Sequence, residues 1–74
     1  MRRQSLIPPL GSVWRARATM PSRRLRDDEP GALVSGGATV TVVGSRGYWV
    51  VILVEGRTLE LPHWTFGHQL ERVA

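Results

Sequence analysis

The sequence predicts an all-β domain: a small five-stranded barrel with an extended N-terminal arm and a short 3-10 turn before the last strand. Three observations predict it. Apolar and polar residues alternate with period two in several runs of strand length. Glycine- and proline-bearing turns separate those runs at short intervals. No segment has the apolar spacing of an amphipathic helix of normal length. Five short strands joined by turns in this little chain mean a small barrel.

The 74 residues make one domain at most. The expected division is an arm over residues 1–11 and the barrel over 12–74. The arm has no periodicity and contains Pro8-Pro9 and Gly11, so it reads as extended and flexible in isolation. Ser12 to Thr19 alternates. Trp14, Ala16 and Ala18 should point inward, and Val13, Arg15 and Arg17 outward. Met20 to Gly31 is expected to be a loop, with Pro21 and Pro30 breaking structure and a charged middle that flips from basic to acidic.

Ala32-Leu33-Val34 is a short apolar step, followed by a Ser35-Gly36-Gly37 turn. From Ala38 to Val43, Val40 and Val42 should be inside and Thr39 and Thr41 outside. Gly44-Ser45-Arg46-Gly47 is expected as a four-residue hairpin loop. Tyr48 to Glu55 is β-prone and apolar on both faces, which predicts a central strand. Gly56-Arg57 is a tight turn, and Thr58 to Leu61 a strand with Leu59 and Leu61 inside. Pro62 stops it. His63 to His68 follows as a short 3-10 turn with Trp64 and Phe66 to bury, and Gln69 to Val73 closes the chain as a strand. Among the five aromatics, Trp14 and Trp49 are assigned to the core.

All ten basic residues are arginine, a bias in keeping with a GC-rich genome such as that of an actinobacterium or its phage. Residues 1–26 hold Arg2, Arg3, Arg15, Arg17, Arg23, Arg24 and Arg26 with no acid, whereas residues 27–74 hold three arginines against six acids. This asymmetry marks the N-terminal third as a face for an anionic partner, or as a solvated face.

With no cysteine, the chain has neither a disulfide nor a thiolate metal site. Met1-Arg2-Arg3 opens like a secretory leader, but Gln4 to Leu10 is too short for its apolar part and is broken by Pro8-Pro9. That segment is expected to belong to the mature protein. No run approaches the roughly 18 apolar residues of a membrane span. The expected location is the cytoplasm, a virion or another intracellular assembly.

The order of parts resembles an SH3 domain over roughly residues 13–73. A first strand, a long charged loop and an apolar-glycine step fall on Val13–Met20, Pro21–Gly31 and Ala32–Gly37. A three-strand meander falls on 38–43, 48–55 and 58–61, and the closing proline, aromatic 3-10 turn and last strand on 62–66 and 70–73. Tyr48-Trp49 looks like the family's aromatic pair. The resemblance implies an SH3-like barrel and a partner groove formed by Tyr48, Pro62, Trp64 and Phe66. The opening strand departs from the family, carrying Trp14-Arg15-Ala16-Arg17 in place of a tyrosine-rich start.

Gly47-Tyr48, Val50 and the ending Leu70-Glu71-Arg72 are also similar to type II dihydrofolate reductases. That family's active-site motif falls on Thr58-Leu59-Glu60-Leu61, where none of its residue types is kept. The resemblance implies a shared fold without the folate activity.

No catalytic constellation is present. His63 and His68 lie five apart in a turn without a ligand-spaced carboxylate and read as surface or capping residues. Glu55 and Glu60 should face water with Arg57 between them. No catalytic residue, metal, cofactor or small-molecule substrate is expected, and no enzyme activity. The expected function is a binding module, acting as a protein-interaction adaptor or assembly subunit. The apolar run from Tyr48 to Val54 exceeds what five strands can cover, which favours a protein partner or self-assembly. The alternative is an accessory protein binding nucleic acid or nucleoprotein through its arginines, with Tyr48 and Trp64 available to stack on bases.

Overall fold

The structure, a computed structural model, describes residues 7–24 and 32–74, and of Arg24 the backbone alone. The alternating segments become β1 (Val13–Ala16), β5 (Thr39–Arg46), β6 (Trp49–Val54), β7 (Arg57–Pro62) and β8 (Leu70–Arg72). Three two-residue strands join them: β2 (Met20–Pro21), β3 (Arg23–Arg24) and β4 (Leu33–Val34). A 3-10 turn, η1, spans His63–Thr65. Among the described residues no helix is long and apolar enough to cross a membrane.

Six strands form one antiparallel sheet in the order β3-β7-β6-β5-β1-β8, and β2 pairs with β4 in a separate ladder. Hydrogen bonding does not close the strands into a barrel, since β3 and β8 stand at opposite edges. The strand count also differs from expectation, because the segment read as a loop supplies two strands. Met20 and Val34 are buried, which draws β2 onto β4, and Ser22 donates its N–H and its hydroxyl to the Ala32 carbonyl at 2.8 and 2.6 Å. Arg23 then aligns beside Glu60 on β7.

The inward set follows the period-two pattern. Ala16, Val40, Val42, Val50, Ile52, Val54, Leu59, Leu61 and Leu70 are buried together with Met20 and Val34. Trp14 packs against this cluster, edge-on to Phe66 at 5.2 Å between centroids. Its indole N–H donates to the Ser12 hydroxyl at 2.8 Å, and that hydroxyl donates to the Pro9 carbonyl at 2.6 Å. The Gly11 N–H donates to the Val42 carbonyl at 2.8 Å. The described end of the arm thus lies against β5.

Three local readings are corrected. Ala18 is exposed, because β1 ends at Ala16 and the chain bends away towards β2. The loop between β5 and β6 is a two-residue turn, Gly47-Tyr48, with Gly47 at φ +63°. The β6–β7 turn is Glu55-Gly56, with φ of +51° and +77° at its two residues. Two successive positive φ values are what a type I′ hairpin needs, and glutamate is strained there. Glu55→Asn is therefore expected to raise stability by up to about 1 kcal/mol, because asparagine tolerates the left-handed region better. Urea denaturation of the two proteins checks this; an unchanged or lower midpoint counts against the strain.

Candidate functional site

Cross-strand partners share a face, so the register defines what stands on the outer side of the sheet. One row runs Gly44, Val51, Glu60, Arg23, and the next runs Arg46, Trp49, Pro62. A bulge at Val43 makes this possible. Val42 pairs with Ile52 and Gly44 with Val51, so one residue of β5 has no partner. Without it, even-numbered positions after Val42 would point inward with Val40. The extra residue reverses the alternation and aims Arg46 outward.

Glu60 sits at the centre of this face and is only 1% exposed. The expectation that it faces water is corrected. Arg23 Nε donates to Glu60 Oε1 at 3.1 Å, and Arg46 Nη1 lies 3.1 Å from Oε2. Oε2 has no aligned hydrogen-bond donor among the described residues, so Arg46 acts on it by charge and proximity. The Arg23 guanidinium also lies over the Trp49 ring, 3.9 Å from its centroid. Trp49 was expected in the core. It is half-buried on the outer face instead, because Val50, Ile52 and Val54 take the inward positions of β6.

Beside this cluster the sheet ends in aromatics. Tyr48 is 76% exposed, and its ring lies 5.5 Å from that of His63. The His63 N–H donates to the Tyr48 carbonyl at 2.8 Å, which ties the start of η1 to the β5–β6 turn. The Thr65 hydroxyl, itself buried, donates to the Pro62 carbonyl at 2.7 Å and holds η1 in its tight turn. Trp64, next to His63, is 56% exposed rather than buried. Of the four residues expected to form a partner groove, Tyr48, Pro62 and Trp64 lie at this end. Phe66 turns in against Trp14.

The arginines expected to meet an anionic partner divide. Arg15 is on the exposed side of β1. Arg17 lies 3.5 Å from Glu71 Oε1, and Arg23 is engaged with Glu60 and Trp49. Arg2, Arg3, Arg26 and the Arg24 side chain lie outside the described residues. His68 is exposed. Among the described residues no group of three or more His, Asp or Glu side chains could hold a metal ion.

Glu60, Arg46 and His63 were not singled out as a group by the sequence. One signal was present: Glu60 is flanked by two leucines, Leu59 and Leu61, two positions before Pro62. No family model, curated protein or solved structure matches this chain.

Proposed function

We propose that the chain is a non-enzymatic interaction module on an SH3-like framework, an adaptor or assembly subunit that binds a segment of a protein partner. The observation that carries this reading is the pair Tyr48 and Trp64, both largely exposed at one end of the sheet, with Pro62 and His63 between them in the chain. Large aromatic side chains held at a surface supply contact area at low entropic cost, and they dominate binding energy where they occur. The SH3-like framework is supported by β5, which pairs with β1 on one side and β6 on the other, and by η1 between β7 and β8.

Nucleic-acid binding by the arginine-rich third remains the competing reading, and Arg15 is what favours it. Against it, Arg17 and Arg23 already face carboxylates.

The test is a selection of binding peptides from a random library, followed by affinity measurement on the Tyr48→Ala/Trp64→Ala variant. Loss of two exposed anchors is expected to weaken binding about 30-fold or more. The thermal midpoint should stay close to that of the wild type, because neither side chain belongs to the buried core. Equal binding by wild type and variant, or no selectable peptide, overturns the reading.

A further inference from the structure

Arg46 stands out among the residues of the aromatic end. It is half-exposed, at 58%, while the carboxylate beside it is wholly covered. Its Nη1 lies 3.1 Å from Glu60 Oε2 without an aligned hydrogen bond to that oxygen. A guanidinium carries five N–H donors in a rigid fork that matches a carboxylate. Glu60 draws the head towards it by charge, and the Val43 bulge puts the Arg46 position on the outer face. The Arg46-Trp49-Pro62 row runs directly into the Tyr48–His63 stack.

Formal charge sets the class of ligand. Two arginines share one carboxylate, so the cluster carries about one net positive charge and not a run of them. A polyanion such as nucleic acid is held by several uncompensated cations and binds with a steep salt dependence. A single acidic side chain needs only one fork, and the aromatic rings beside it need an apolar or proline-bearing stretch of extended backbone.

We propose that Arg46 is a specificity residue: it makes this surface select an extended peptide segment whose acidic side chain docks on the Arg46 guanidinium while neighbouring apolar or proline residues pack on Tyr48 and Trp64. This rests on the interaction-module reading and adds the charge of the partner. Arg23 contributes indirectly. It shares the charge of Glu60 from the other side, which leaves the cluster with a net positive charge for an incoming carboxylate.

The experiment uses three fluorescein-labelled degenerate peptide pools, each with two fixed prolines, flanked by glutamate, glutamine or arginine. A single-stranded DNA oligonucleotide serves as the fourth probe. Binding is read by anisotropy and mapped on the isotope-labelled protein by amide and indole shifts. The glutamate pool is expected to bind about tenfold tighter than the glutamine pool, as a charged hydrogen bond allows. Shifts should appear at Tyr48, Trp64 and Arg46. Arg46→Gln should erase that preference and leave the glutamine pool unchanged, and Arg46→Lys should restore part of it. Core amide shifts of the variants report that the fold is kept.

A glutamine or arginine pool that binds the aromatic end as well as the glutamate pool overturns the acid preference and leaves the interaction module standing. An Arg46→Gln variant that keeps the glutamate preference overturns the role of Arg46. No binding by any peptide pool overturns both. Oligonucleotide binding that falls steeply with salt and maps to Arg15 overturns both in favour of nucleic acid.

Discussion

Replacing Arg23 and Arg46 together by methionine is expected to cost about 3–5 kcal/mol, the range for stripping the partners from a buried charge. Methionine is chosen because it keeps an apolar cover over Glu60. An alanine pair would let water reach the carboxylate and so relieve the penalty. Glu60→Leu should cost much less, because it leaves two half-exposed guanidinium groups that water can solvate. The asymmetry is the informative quantity. Urea denaturation of the two variants and wild type measures it. An equal or smaller loss for the arginine pair would mean that Glu60 is not held by charge. If the double variant does not fold, Arg46→Met alone serves. It keeps the Arg23 hydrogen bond and should lose less than the pair, about 1–3 kcal/mol.

The other large effect lies in the core. Ile52→Ala should destabilise by about 2–5 kcal/mol through lost burial and the cavity it leaves. Ile52 is fully buried on β6, between β5 and β7, where backbone pairing on both sides limits collapse into the space. A domain of this length has roughly 4–11 kcal/mol of total stability, so the variant stands close to unfolding. Ile52→Val, at about 0.5–1.5 kcal/mol, gives a graded control that stays folded. A thermal midpoint for Ile52→Ala within a degree of wild type would contradict the assignment of β6 as the centre of the core.

Part of the inward face was legible. Ala16, Val40, Val42, Leu59 and Leu61 follow from alternation, which depends on backbone pleat and needs no knowledge of neighbours, whereas the unbroken apolar run of β6 does not show that Val50 and Ile52 are the inward residues. The turn residues were less so. Gly44-Ser45-Arg46-Gly47 looks like a four-residue loop, yet the strands continue to Arg46 and Trp49 because the bulge restores their pairing. Nothing in the Val42-Val43-Gly44 triplet announces which residue is left unpaired. Size alone argues for Trp49 in the core, whereas the pleat of β6 places it on the outer face. Exposure of Tyr48 and Trp64 could be posed as a question from the sequence, but only the docking of η1 on the β5–β6 turn answers it.

By itself the sequence determined an all-β chain, the inward residues of its alternating segments, the approximate positions of the longer strands and the charge imbalance between its two parts. Those are local properties, set by period, turn chemistry and composition. Only the tertiary structure decided that the sheet stays open, that the supposed loop contributes β2 and β3, and that Glu60 is buried beneath Arg23 and Arg46. The reason is physical. Burial of a polar side chain depends on which distant segments cover it, and here Arg23 arrives from 37 residues away while Arg46 is turned outward by one extra residue in β5. Long-range convergence of that kind has no signature in local periodicity.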